Sequence, residues 1–233
     1  MNRIDQKFFQ LKKAKRKAFI SFVTAGDPSL EATHDLVLAF EKAGVDLIEI
    51  GVPFSDPLAD GPTIQASSFR SLQKGTTLSK VLRCVKKLRQ QTEIPIALMM
   101  YYNPIFHYGE EKFVKDAVDC GVDGVIVPDL PPEEAAHLIK FARKADLATI
   151  FFISPTTTKE RMKMVAKAST GFIYYVSRTG VTGVQADLSQ SLHAEMASLR
   201  TKVKNPIAIG FGMKDSVSAS AKDHKSEIKK LIG

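Results

Sequence analysis

The chain has 233 residues, with 33 Lys and Arg against 25 Asp and Glu, a formal net charge of +8 and 44% hydrophobic residues. This is ordinary globular composition, and it excludes collagen-like, low-complexity and largely disordered classes. No apolar stretch reaches the roughly 18 residues of a membrane span, and the N-terminus lacks the apolar core of a signal peptide. We therefore expect a soluble, cytoplasmic protein with no membrane partner.

The excess of basic residues raises the question of a nucleic-acid partner. Most of the basic clusters fall on predicted helices, without aromatic interleaving or a nucleic-acid motif, so we interpret them as solvated helix faces and expect no nucleic acid. Their positive field could still attract a small anion. Cys84 and Cys120 lie far apart, with no zinc or redox spacing, and are expected to be reduced thiols.

Strands and helices are predicted to alternate after a polar N-terminal helix. The predicted strands cover residues 18–24, 47–50, 96–101, 124–127, 148–153, 172–176 and 206–209. The predicted helices cover residues 29–43, 64–72, 78–88, 112–118, 133–142, 160–168 and 189–199.

The joins between these elements favour a fold class. The segments 44–46 and 121–123 both read Gly-Val-Asp, with the glycine where a helix needs a left-handed stop before a strand. Strands that are apolar on both faces are typical of a parallel sheet covered by helices. Seven βα units in this length predict a single (β/α)8 TIM-barrel domain over residues 1–233. A doubly wound open sheet is the alternative, which the absence of GxGxxG after the first strand disfavours.

The second predicted strand carries the first candidate for chemistry. Val45, Leu47 and Glu49 share one face, so the Glu49 carboxyl points the same way as two core residues. Burial raises the pKa of a carboxyl towards the range useful for proton transfer, although a structural carboxylate is the alternative. The loop of residues 51–62 is long for a βα connection, and its Asp60 could pair with Glu49 as a second acid–base group, or only form a turn.

Two glycine-rich segments, residues 177–183 and 210–212, follow the sixth and seventh predicted strands. Glycines let backbone N–H groups approach an anion, and the last loops of barrels often hold phosphate, although plain turns would have the same composition. The histidines and cysteines have no metal-ligand spacing, so no metal is expected. Residues alone thus predict a metal-free barrel enzyme that performs acid–base chemistry on a phosphorylated substrate.

The run of residues 48–65 (IEIGVPFSDPLADGPTIQ) resembles the signature of the tryptophan synthase alpha subunit family. The resemblance covers residues 1 to about 213 in order. It also rests on the segments 22–28 (FVTAGDP), 100–104 (MYYNP), 127–131 (VPDLP), 174–183 (YYVSRTGVTG) and 209–212 (IGFG).

This resemblance implies a (β/α)8 barrel that cleaves indole-3-glycerol phosphate to indole and glyceraldehyde 3-phosphate without a cofactor. Glu49 matches the group that protonates the indole ring carbon and takes the glycerol hydroxyl proton. Asp60 matches the group that stabilises the positive charge on the ring nitrogen.

The resemblance also implies binding residues and a partner. The pocket and phosphate-cradle positions are matched by Phe22, Tyr101, Asp129, Ile153, Tyr174, Thr182, Gly183, Phe211 and Gly212. Pro53, Asp56 and Pro57 match the surface that meets the beta subunit, a pyridoxal-phosphate enzyme that receives indole in an α2β2 complex.

The pattern departs from the family after Gly212. The segment 214–233 is predicted to be one basic helix, in place of an eighth strand and a closing helix. Because an open barrel leaves unpaired strand edges and a partial phosphate cradle, we expect weak cleavage by the isolated chain. The alternative function is a non-catalytic subunit that only binds or activates the beta subunit.

Overall fold

The structure, a computed structural model, describes residues 1–176 and 195–210. The helices are α1 (Arg3–Lys13), α2 (Leu30–Lys42), α3 (Pro62–Gln73), α4 (Leu78–Leu88), α5 (Tyr102–Tyr108), α6 (Glu110–Asp119), α7 (Ala136–Lys144), α8 (Lys159–Ala168) and α9 (195–200). The strands are β1 (Ile20–Thr24), β2 (Leu47–Gly51), β3 (Ile96–Met99), β4 (Gly124–Ile126), β5 (Ala148–Ile150), β6 (Phe152–Ile153), β7 (Ile173–Val176) and β8 (Ile207–Gly210).

These elements belong to two compact units. The first contains Met1–Phe151 and Ala168–Gly171, and the second contains Phe152–Lys167 and the chain from Phe172 onward. In the first unit β1 to β5 form a parallel sheet in chain order, and in the second β6 to β8 do the same. Parallel neighbours in chain order require a crossover between each pair, as a series of βα units provides. A single domain over residues 1–233 stays a prediction.

In the described ranges most predicted elements are found with ends shifted by three residues or fewer, and two differences are larger. The strand predicted over residues 148–153 is divided at Phe151 into β5 and β6, which belong to different sheets. The strand predicted to reach Tyr101 ends at Met99, and the helix α5, which was not predicted, follows it. Pro104 lies in the first turn of α5, where a helix makes no use of the missing N–H, so this proline is compatible with a helix start.

The two Gly-Val-Asp segments end helices as predicted, since Gly44 and Gly121 have φ values of 91° and 87°. Their aspartates have a further role at the starts of strands. The Asp46 carboxylate accepts the Phe19 N–H at 3.0 Å, one residue before β1, and Asp123 accepts the Ile96 N–H at 2.8 Å, at the start of β3. Each aspartate therefore fixes the N-terminal end of the neighbouring strand.

One face of the five-stranded sheet is covered at its N-terminal end by α1. A side chain added at Gly124 would lie 2.9 Å from the Ile4 side chain, which is fully buried. Residues in register on neighbouring strands point to the same face, and the pairing aligns Glu49 with Ala97 and Ala97 with Gly124. Glu49 therefore points to the face that Ile4 covers. Among the described helices, none has the length and apolar character that crossing a membrane requires.

Candidate active site

Glu49 lies in the middle of β2, all five residues of which are buried. Its relative exposure is 3%. In the sheet it is paired with Phe22 on β1 and with Ala97 on β3. An aromatic residue on one side and a methyl group on the other supply no polar partner from the neighbouring strands.

The protonation of Glu49 follows from this burial. No hydrogen bond or ion pair joins its carboxyl to another residue of the described ranges. Removal from water without a compensating partner raises the pKa of Glu49 from 4.5 to about 7. A carboxyl with this pKa is present in both protonation states at neutral pH, so it can both donate and accept a proton.

Phe22 forms an apolar wall beside this carboxyl. Its ring extends over Gly51, the residue on β2 that faces the same side as Glu49. A side chain at Gly51 would collide with the ring, so the glycine makes room for it. The role of Phe22 as a pocket-lining residue stays a prediction.

Asp60 precedes α3, whose N-cap residue is Gly61. The residue is half-buried, and the Gln65 side-chain amide donates to the Asp60 carbonyl at 2.9 Å. Burial raises the pKa of Asp60, while the nearby Tyr101 hydroxyl lowers it. Asp60 is therefore a carboxyl in a partly dehydrated position at the entry to a helix.

Tyr101 joins the long loop to β3. Its hydroxyl accepts the Ala59 N–H at 2.8 Å, and its ring lies 5.3 Å from the ring of Phe54. Burial raises the pKa of Tyr101, and the charge of Asp60 raises it further, so the group keeps its proton at neutral pH. The tyrosine thus holds the segment directly before Asp60. The sequence pattern did not indicate this contact, because it depends on how the loop folds back.

Asp129 is exposed, and its carboxylate accepts the Tyr102 N–H at 2.9 Å. Tyr102 is the first residue of α5, which has no capping side chain of its own. Asp129 therefore stabilises the start of α5 from another loop, directly beside Tyr101.

The predicted partner surface is only partly accessible. Pro53 is buried and Pro57 half-buried, whereas Asp56 is exposed. Two large apolar side chains are also exposed: Leu58, which follows Pro57 in the loop, at 94%, and Phe106 on α5 at 68%. Apolar groups of this size in contact with water are typical of surfaces that another molecule covers.

The other predicted binding residues fall in the second unit or outside the described residues. Ile153 is fully buried in β6. Tyr174 on β7 packs its ring 5.1 Å from that of Phe152 and leaves no space for a side chain at Gly210. The predicted residues Thr182, Gly183, Phe211 and Gly212 lie outside the described ranges. In the described part of the chain, no group of three or more His, Cys, Asp or Glu side chains is placed to hold a metal ion.

Comparisons with known proteins all point to the same family. The model of the family described as tryptophan synthase alpha chain matches residues 8–228. The tryptophan synthase alpha chain of Geotalea daltonii is 53% identical over 221 residues, which are 95% of this chain and 84% of the relative. That of Thermoanaerobacter pseudethanolicus is 49% identical over 213 residues, or 91% of this chain and 81% of the relative.

Solved structures agree with this result. The tryptophan synthase alpha subunit of Legionella pneumophila aligns with a TM-score of 0.85 and 39% identity, over 92% of this chain and 79% of that one. A chain of the tryptophan synthase α2β2 complex of Pyrococcus furiosus aligns with a TM-score of 0.82 and 36% identity, over 92% and 84%. The expected (β/α)8 TIM-barrel fold class is thereby confirmed, whereas the expected lack of an eighth strand and last helix concerns residues outside the described ranges.

Proposed function

The chain belongs to the tryptophan synthase alpha chain family, and from this premise we propose that Glu49 and Asp60 carry its lyase reaction in tryptophan biosynthesis. That reaction is the cleavage of indole-3-glycerol phosphate to indole and glyceraldehyde 3-phosphate. The observation that carries the residue assignment is the buried Glu49 carboxyl, whose pKa is raised to about 7 by loss of water.

Glu49 acts as acid and then as base in this proposal. The protonated carboxyl gives its proton to the indole ring carbon that bears the glycerol chain. The resulting carboxylate takes the proton of the adjacent glycerol hydroxyl while the carbon–carbon bond breaks. The electron pair of that bond returns to the ring, an aldehyde forms, and Glu49 is protonated again, so protons and electrons balance without a cofactor on this chain.

Asp60 supplies the negative charge that the protonated ring requires. Protonation of the ring carbon leaves a positive charge on the ring nitrogen, and a fixed carboxylate lowers the energy of that charge most where water is partly excluded. Tyr101 holds Ala59, directly before this carboxylate, at 2.8 Å. Phe22 then provides the apolar wall against which we place the indole ring.

The remaining binding roles rest on the resemblance. We assign Asp129, Ile153 and Tyr174 to the pocket, together with Thr182, and the phosphate to backbone groups of Gly183, Phe211 and Gly212. The formal net charge of +8 supports an anionic substrate, since a positive field raises the local concentration of anions.

The partner that we propose is the tryptophan synthase beta subunit, which carries pyridoxal phosphate and uses the indole. The similarity to a chain of the Pyrococcus furiosus α2β2 complex supports it. The loop with Pro53, Asp56 and Pro57 would meet the partner, and Leu58 and Phe106 would be covered there. A cytoplasmic location fits the two free thiols, Cys84 and Cys120, because reduced cysteines are usual in that compartment.

The test is steady-state indole release from indole-3-glycerol phosphate by the purified chain, alone and with the beta subunit. We expect Glu49→Gln to abolish release, and Glu93→Gln, a matched change of an exposed glutamate that pairs with Arg3, to leave it unchanged. Equal rates for Glu49→Gln and the unchanged chain would refute the assignment. Stimulation of serine-plus-indole condensation without any indole release would instead support the non-catalytic alternative.

A further inference from the structure

The helix α3 has an unusual buried face. Its buried residues are Ser67, Ser68 and Ser71, and none of them is a large apolar residue. A face of this kind gains little from the hydrophobic effect, which is proportional to the apolar area that is buried. The aliphatic residues Ile64 and Leu72 of this helix are only half-buried, so directional contacts of the serines contribute to the position of α3.

Two serine hydroxyls make those contacts with the end of β1. Ser71 donates to the Ala25 carbonyl at 2.6 Å. The Ser67 and Thr24 hydroxyls lie 2.8 Å apart, and since Ser67 donates to the Ile64 carbonyl, Thr24 is the donor between them. All three hydroxyl-bearing residues are buried, so these hydrogen bonds do not compete with bulk water.

The contact at Ala25 continues to the strand that carries Glu49. The Ala25 N–H donates to the Gly51 carbonyl at 2.8 Å, and Gly51 is the last residue of β2. The two backbone groups of Ala25 thus connect α3 on one side with β2 on the other. Asp60 lies two residues before the start of α3, so this connection links β2, which carries Glu49, with the helix that directly follows the Asp60 loop.

An ion pair on the outer side of the helix also attaches α3 to the segment after β1. Arg70 on α3 donates to both carboxylate oxygens of Asp27, at 2.9 and 2.6 Å. The Arg70 side chain is half exposed, so this pair contributes less than the buried hydroxyls. The serine contacts are therefore the better shielded of the two kinds of contact that attach α3 to the segment after β1.

We propose that Ser67 and Ser71 are positioning residues for Asp60: their hydrogen bonds to the end of β1 fix α3 and hold the Asp60 carboxyl in place relative to β2. This inference rests on the proposed function for its effect on catalysis, but the position of Asp60 can be measured without turnover. Misplacement by about 1 Å of a group that stabilises charge is enough to lower kcat by roughly tenfold or more.

The test uses Ser71→Ala, with Ser68→Ala as the matched control. Ser68 is a buried serine on the same helix face, and its hydroxyl has no hydrogen bond to a described residue. Carbon-13 NMR follows the titration of the Asp60 carboxyl, assigned by its loss in Asp60→Asn. The Tyr101 hydroxyl faces the Asp60 carboxyl, and the charges of Asp60 and Asp129 both act on Tyr101. Tyr101 and Asp129 are unchanged in the variants.

We expect Ser71→Ala to shift the Asp60 titration to lower pH, because a displaced carboxyl is better hydrated, and to lower kcat about tenfold with KM within about twofold. Ser68→Ala should change neither. An unchanged titration and kcat in Ser71→Ala, even with a lower unfolding temperature, would show that the serines only stabilise the fold and would overturn the proposal.

A second variant covers the case in which Ser71→Ala does not fold. Thr24→Val combined with Ser67→Ala removes both partners of the other buried hydrogen bond, so that neither hydroxyl is left without its partner. The same shift of the Asp60 titration is expected, and its absence would overturn the proposal. If Asp60→Asn released indole normally, the catalytic role proposed for Asp60 would be refuted. The titration of Asp60 in the serine variants would still test whether the serines position it.

Discussion

The ring of Phe22 occupies the space that a side chain at Gly51 would need, since a Cβ built at Gly51 would lie 2.5 Å from the ring. The two residues lie on neighbouring strands, and both face the side of the sheet to which Glu49 points. A glycine at the end of β2 is therefore a requirement of the aromatic wall beside Glu49.

We expect Gly51→Ala to displace the Phe22 ring and to raise KM for indole-3-glycerol phosphate about tenfold, with a stability loss of about 1–3 kcal/mol from overpacking. Steady-state kinetics and urea unfolding measure the two effects. In a Phe22→Leu background the methyl group added by Gly51→Ala meets a smaller side chain, so both effects should be smaller. Equal effects in both backgrounds would contradict the steric explanation.

The pH dependence of cleavage should report Glu49. The proposed reaction begins with this carboxyl protonated, and its pKa is about 7. We therefore expect kcat/KM to fall about tenfold per pH unit above that value. A profile of indole release that stays flat well above neutral pH would contradict the acid role.

The same group should make stability depend on pH. Between the ordinary pKa of 4.5 and the folded pKa of about 7, the folded state binds more protons than the unfolded state, so stability falls as pH rises through this window. The full loss is about 3 kcal/mol. We expect Glu49→Gln to remove this loss. The free energy of unfolding of the variant, measured in urea relative to that of the wild-type chain, should therefore be higher at about pH 8 than at about pH 4.5. If the difference in free energy of unfolding between the variant and the wild-type chain were the same at both pH values, a buried, uncharged Glu49 would be contradicted.

Removal of the Tyr101 hydroxyl should loosen the segment before Asp60. Tyr101→Phe deletes the acceptor of the Ala59 N–H, and we expect kcat to fall about tenfold because Asp60 is less well held. Tyr102→Phe is the matched control, since that hydroxyl donates to Glu110 at 3.1 Å and not to the loop. Similar kinetics for the two variants would argue against a specific role for Tyr101.

The aspartates at the strand starts should differ in their contribution to stability. Asp123 forms a 2.6 Å ion pair with Arg89, and their side chains are 4% and 10% exposed. We expect Asp123→Asn to lower the free energy of unfolding by about 3–5 kcal/mol, because Arg89 is left as a buried charge without its partner.

Asp46→Asn is the comparison, since its partner Arg16 is 54% exposed and lies at 3.4 Å. We expect a loss of about 1 kcal/mol for it. Urea titrations of both variants measure this difference, and neither change should alter kcat where the chain remains folded. Equal losses would contradict the dependence on burial.

The order of the elements could be predicted from the sequence because hydrophobic periodicity and helix stops are local signals. The helix α4 was predicted with its observed bounds, Leu78–Leu88. The short helix α5 was missed because the apolar run before it continued to Tyr101, and its cap is supplied by Asp129, 27 residues away. Contacts between distant loops leave no periodic trace.

The site was predictable to a similar degree. The buried position of Glu49 follows from a period of two, and its raised pKa follows from burial alone. The contacts of Asp60 with Tyr101 and the hydrogen bonds of Ser67 and Ser71 were not predicted, because small polar residues on a helix are ordinary surface composition. Only the arrangement of α3 against β1 gives them a role.

Each strand-start aspartate reaches back 27 residues, from Asp46 to Phe19 and from Asp123 to Ile96. A contact of that span joins a strand to the start of its immediate predecessor and involves nothing further along the chain. During synthesis, each of these two strand pairs can therefore be aligned as soon as its second strand has left the ribosome, before the strands that follow it in the chain have emerged.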